Sequence, residues 1–167
     1  GATNTALGRN ALQLNTTASN NTAVGYASLG VNTTGTNNVA IGAASLDANT
    51  TASNNVAVGV NTLGVNTTGA SNTAIGHEAL DANTTASNNT AVGKGAMLRT
   101  TTGANNTAVG FESLVINTTG ANNVAIGDNA LNVSTTASNN TAVGSSALAA
   151  NTTGASNVAV GYASLDA

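Results

Sequence analysis

The stretch Asn21-Thr22-Ala23-Val24-Gly25-Tyr26-Ala27-Ser28-Leu29-Gly30-Val31-Asn32-Thr33-Thr34-Gly35-Thr36-Asn37 decides the fold, because Asn38 begins the same pattern again. The period is 17 residues, kept along the whole chain without an insertion. Glycine recurs in phase from Gly8 through Gly25, Gly42 and Gly59 to Gly161. Asparagine recurs from Asn4 through Asn21, Asn38, Asn55, Asn72 and Asn89 to Asn157. Leu29 and Leu46 belong to a third row, in which Met97 is the single substitute. The pair Thr33-Thr34 has a counterpart in all nine complete linkers. A fixed short period means a stack of identical units, each burying its neighbours' faces. The residue after the Thr pair alternates (Ala18, Gly35, Ala52, Gly69) and slips once at Gly120, which reads as duplication of 34-residue pairs.

Helical repeats need about 30 or more residues per unit, and Asn, Thr, Val and Gly are poor helix formers. Thr22-Ala23-Val24 alternates in the manner of a strand, with Thr22 and Val24 on one face. Leu29 and Val31 share a face in the same way, so two short strands per coil are expected. Gly25 separates them in all ten repeats, which calls for positive φ or a close backbone approach. At Gly35 alanine is accepted elsewhere in the row, so that position needs a small residue and not positive φ. The expected fold is all-β: a parallel β-solenoid or β-roll of about ten coils, forming one repeat domain over residues 1–167. At roughly 4.8 Å per coil it is a rod on the order of 45 Å long. Stacked copies of Asn21, Asn38, Asn55, Asn72 and Asn89, with Gly25, Gly42, Gly59, Leu29 and Leu46, then form structural ladders. A backbone whose N–H groups are nearly all paired explains the absence of proline.

Composition removes most function classes. Charged residues are 5% of the chain, against roughly 25% in ordinary soluble domains. There is no cysteine, hence no disulfide framework and no thiolate metal site. Three basic residues cannot hold a nucleic acid, and no apolar run approaches the ~18 residues of a membrane span. One histidine and six scattered carboxylates give little material for catalysis or a metal site. The expectation is no enzyme, no cofactor and no metal. No signal peptide is recognisable, so an export signal would lie outside these residues.

Variation between repeats marks the surface. Arg9, His77, Lys94 and Asp128 fall on the first position after the glycine, Glu78 and Glu112 on the second, and Asp47, Asp81 and Asp166 on the position after the leucine. One strip is therefore expected to face water while packing fixes the rest. Arg99 stands outside that strip, next to Thr100, which replaces the usual asparagine. Tyr26, Phe111 and Tyr162 share the first variable position and are candidate surface contacts for a sugar ring. Val24, Leu29, Val31 or Ala48 and one alanine per coil make up the expected buried side. The row of Thr22 is Thr six times and Val four times, never charged, and reads as an interface between copies of the chain.

No phosphate-binding glycine loop is present, since Gly25 and its counterparts end a strand. The asparagines of Asn-Thr-Thr, namely Asn15, Asn32, Asn49, Asn66, Asn83, Asn117 and Asn151, are candidate glycosylation sites. Asn20, Asn88, Asn105, Asn132 and Asn139 also satisfy the acceptor pattern. A repeat rich in Asn and Thr generates such triplets automatically. A second function class, a solenoid recognising ice or glycan through its Thr/Asn face, is weakened because adjacent Thr33 and Thr34 point oppositely in a strand. Only Arg9, Lys94 and Arg99 offer tryptic sites, so a continuous roll is expected to resist trypsin.

The motifs Asn21-Thr22-Ala23-Val24-Gly25 and Asn38-Val39-Ala40-Ile41-Gly42 resemble the head repeats of trimeric autotransporter adhesins of the YadA type. They are also similar to repeats of phage tail fibres with a following Ala-Leu. The resemblance implies a left-handed parallel β-roll, three chains to an assembly, outside the cell or on a virion. It rests on about five residues per repeat, and the adhesin repeat is shorter than this one. The expectation is a rod of an extracellular fibre whose partners are copies of itself, as a homotrimer or an end-to-end filament, and a host surface or glycan.

Overall fold

In the computed structural model, which describes residues 1–166, the chain is a β-solenoid of stacked 17-residue coils. Ten three-residue strands, β1 (Thr5–Leu7) to β10 (Val158–Val160), form one sheet in chain order, and there is no helix among the described residues. Each pair is parallel and shifted by one period, for example Thr22↔Val39, Ala23↔Ala40 and Val24↔Ile41. Identical residues therefore stand in rows along the rod.

There is one strand per coil, not two. The segment around Leu29 and Val31 is a turn, closed by Gly30 N–H to Ala27 O at 3.1 Å and Asn32 N–H to Leu29 O at 3.2 Å. Its cause is backbone conformation: all nine leucines of the row and Met97 have φ between 48° and 53°. Left-handed backbone costs a bulky residue roughly 1–2 kcal/mol. Burial offsets it, because Leu29, Leu46, Leu63, Leu80, Met97, Leu114 and Leu131 are all fully buried, worth about 1.5–3 kcal/mol each. The turn still pairs between coils, through Ala27 N–H to Arg9 O at 2.9 Å and Leu29 N–H to Ser45 O at 3.0 Å. Pairing thus continues around the corners, where proline would remove a donor.

Gly25 has φ of 133°, and a Cβ there would lie 2.5 Å from Gly42 O in the next coil. Both reasons for an invariant glycine hold at once. The Gly35 row has no positive φ, as its tolerance of alanine requires. A Cβ on Gly35 or Gly69 would collide with the carbonyl oxygen of the next coil's alanine. The Ala/Gly alternation therefore carries a packing constraint as well as a trace of duplication.

The core differs from a hydrophobicity reading. Ala23 and its counterparts in β3 (Val39–Ile41) through β9 (Thr141–Val143) point inward and are fully buried. Val24 lies outside with Thr22, and its counterparts Ile41 and Ile75 are about 40% exposed. The interior consists of alanine, the leucines with Met97, two rows of asparagine, and a row that holds the buried Ser28, Ser45, Thr62 and Ser113. In the Asn21 row each Oδ1 accepts the backbone N–H of the next coil's asparagine, in nine steps of 2.8–3.0 Å. Its Nδ2 donates to the carbonyl fourteen residues on, as from Asn21 to Gly35 O at 2.9 Å. That same oxygen accepts Asn32 Nδ2 at 3.0 Å, so both lone pairs are used. Burying asparagine is tolerable because its groups are paired.

Candidate functional site

Three surfaces run the length of the rod, and each follows from the coil geometry. The first is the outer face of the sheet, where two residues of every strand point away from the alanine row. Thr22 and Val24 form it in β2 (Thr22–Val24), Thr73 and Ile75 in β5 (Thr73–Ile75), Val124 and Ile126 in β8 (Val124–Ile126). None of the twenty positions is charged. It carries Ile41, Ile75, Val109 and Ile126, all at least 36% exposed.

The second surface is the variable strip. Tyr26, Phe111 and Tyr162 are 55%, 44% and 83% exposed and stand in one row. The stack places five coils between the first two and three between the last, roughly 24 Å and 14 Å apart. The rings are therefore separate contacts and do not form one platform. Arg9 sits 6.0 Å from the Tyr26 ring centroid and Lys94 5.7 Å from that of Phe111, each cation one coil below its ring. His77 Nδ1 lies 3.5 Å from Glu78 Oε2, both exposed. Burial, with the Glu78 charge adding to it, pushes the Asp81 carboxyl above its ordinary range, and the Gly64 N–H and His77 oppose the rise. Asp47 is raised by burial. Among the described residues no group of three His, Cys, Asp or Glu could hold a metal ion, and no helix is long and apolar enough to cross a membrane.

The third surface is the linker, and here the expectation of a single water-facing strip is corrected. Thr34 and Asn37, with their counterparts, are exposed although they scarcely vary. Asn37 has a backbone reason: its row has φ of 58–64°, the left-handed region that asparagine tolerates best among residues with a side chain. Thr33 has one too, since its hydroxyl donates to Thr50 O at 3.0 Å. Thr34 points outward, present in nine of nine linkers, with its hydroxyl uncommitted within the described residues.

The glycosylation candidates divide sharply. Asn32, Asn49, Asn66, Asn83 and Asn117 are fully buried. Both Nδ2 protons of Asn49 are donated, to Asn32 Oδ1 at 2.8 Å and Ala52 O at 3.1 Å. A glycan would have to replace one of them, so the folded rod has no place for it at these five. Asn15 and Asn151 are half-buried. Asn20, Asn88, Asn105 and Asn139 are exposed at the left-handed corner, while Asn132 is half-buried and donates to Asn129 Oδ1 at 2.7 Å.

Compared with known protein families, with characterised proteins and with solved structures, the chain finds no match.

Proposed function

We propose that the chain is a non-enzymatic structural rod of an extracellular fibre or filament, similar to adhesin heads and tail-fibre segments, which associates with copies of itself through the outer face of its sheet. The observation that carries this reading is the unbroken absence of charge on that face. A repetitive, half-exposed Val/Ile/Thr surface is what an interface between identical rods needs. The variable strip carries every charge but Arg99 and is free for contacts with a surface or a glycan. Stacked backbone and asparagine ladders supply stiffness.

Charge reversal of this logic is the test. Ile75→Lys with Ile126→Lys places two ammonium groups on the sheet face without touching the core. Val60→Lys places one on the variable strip, where Lys94 already occurs. Sedimentation equilibrium is expected to give the unmodified mass for Val60→Lys and the single-chain mass for the paired variant. An unchanged mass for the paired variant would remove the sheet face as the interface.

A second reading is favoured by the Thr34 row alone. A line of uncommitted hydroxyls and methyls at a fixed spacing suits a solenoid recognising ice or glycan. Faceted ice-crystal growth in the presence of the chain, abolished by Thr68→Lys with Thr102→Lys, would select that reading over a passive rod.

A further inference from the structure

Beyond the sheet, each coil presents a turn whose outward rows are those of Tyr26, Gly30 and Val31. Coil seven alone carries a large apolar residue in all three: Phe111, Val115 and Ile116. Coil six, directly below, sets Lys94 and Arg99 in the two outer rows with Leu98 between them. Two of the chain's three basic residues therefore fall in one coil. That coil departs from the repeat inside as well, with Met97 in the leucine row and Thr100 in the buried asparagine row.

Backbone pairing fixes the two coils against one another at both ends of the turn. Glu112 N–H donates to Lys94 O at 3.0 Å, and Arg99 N–H donates to Val115 O at 2.9 Å. The Phe111 ring is 44% exposed, while Val115 is buried and forms the floor. Lys94 Nζ stands 5.7 Å from the ring centroid, and Arg99 is exposed. Among the described residues neither cation makes an ion pair.

An exposed ring, an aliphatic floor and two unpaired cations fit an acidic sugar. The apolar face of a sugar ring rests on the aromatic ring, and its carboxylate or sulfate takes the ammonium or guanidinium in a charge-assisted hydrogen bond. Glu112, beside Phe111, and Asp128, next in its row, accept from sugar hydroxyls and repel a densely charged polyanion. Three basic residues in the whole chain offer a nucleic acid no continuous track.

We propose that Lys94, Phe111 and Arg99 form a binding site for an acidic glycan, one whose rings carry isolated carboxylate or sulfate groups. This rests on the reading of the variable strip as the rod's contact surface and names the chemistry it takes. Arg9 and Tyr26 are the built-in comparison, again a cation near a ring, at 6.0 Å. There Gln13 and Gly30 stand in place of Leu98 and Val115, and Leu14 in place of Arg99, so the floor and the second cation are missing.

Phe111 is the one phenylalanine, so labelling that ring gives a single nuclear magnetic resonance probe of the site. A galacturonate tetrasaccharide, a sulfated oligosaccharide and uncharged cellotetraose are titrated in turn. The expected result is a saturable Phe111 shift with at least one acidic probe, at least about tenfold tighter than with cellotetraose. Whichever acidic probe binds identifies the anionic group. Lys94→Ala and Arg99→Ala are each expected to weaken binding about tenfold, and Arg9→Ala to leave it unchanged, with native mass unaltered in all three. Binding by a chain of single-chain mass would uphold the site while removing the fibre reading. No shift with either acidic probe, equal affinity for cellotetraose, or full affinity in Lys94→Ala with Arg99→Ala would overturn the site, whatever the mass.

Discussion

Replacing Thr100 with asparagine should stabilise the protein, although it inserts an amide into a buried position. In the intact coils this residue makes three hydrogen bonds, and each partner waits at coil six. Asn83 Oδ1 is unpaired, Gly103 O accepts only Asn89 Nδ2 of its two usual amides, and Asn117 Nδ2 donates only to Gly120 O. Three bonds at about 0.5–1.5 kcal/mol net each are opposed by the lost burial of one methyl, about 0.8 kcal/mol, and by rotamer entropy. The net gain is about 1–3 kcal/mol, or about 2–12 °C in melting temperature at roughly 2–4 °C per kcal/mol for a chain of this size. Calorimetry on the two proteins at one concentration measures it. A double-mutant cycle with Asn83→Ala adds a second check, because the gain should shrink when its main acceptor is gone. A melting temperature that is unchanged or lower, or an equal gain in the Asn83→Ala background, would refute the reasoning.

Gly76→Ala should destabilise by about 3 kcal/mol or more, since φ is +134° and the new Cβ lies 2.5 Å from Gly93 O. Gly64→Ala is the control: φ is not positive, and the one atom its Cβ would crowd is Asp81 Oδ1 at 2.7 Å, the end of a side chain that can turn away, with backbone oxygens no nearer than 3.5 Å, so urea titration should separate the two by a wide margin. The Asp81 carboxyl, raised above its ordinary value of 3.8 by burial and Glu78, is bound to its proton more tightly in the folded chain. Its contribution is present below that ordinary value and is lost as pH rises through the raised one. Asp81→Asn should therefore be more stable than the parent at pH 7, with the gap closing at acid pH in parallel denaturation curves. Expression in a glycosylating host should yield folded rods carrying sugar, by peptide mass, at Asn20, Asn88, Asn105 or Asn139. Folded, soluble rods with sugar at Asn49 or Asn66 would contradict the burial of those amides.

The repeat itself made the fold legible. Gly25 and Asn21, each present ten times at one spacing, fix the coil length, the register and the in-phase rows. The absence of proline pointed to continuous pairing. What the residues did not disclose is the turn at Leu29, because leucine signals burial and says nothing of a left-handed φ. The Asn37 row did carry such a signal, in a residue type that favours that region. Hydrophobicity also misplaced the inside and outside of the strand. It sets Val24 inward, whereas the narrow coil admits only alanine in the strand and accepts asparagine where carbonyls pair its amide. The exposed Thr34 row was hidden by its own constancy, which resembles that of a buried position.

Self-association of the rod is the central claim, and the native mass of the purified chain by light scattering tests it most directly. The account predicts a discrete multiple of 15.9 kDa, three by the resemblance to trimeric adhesin heads, unchanged on moderate dilution. A single species at the mass of one chain would contradict it and leave the uncharged sheet face without a partner.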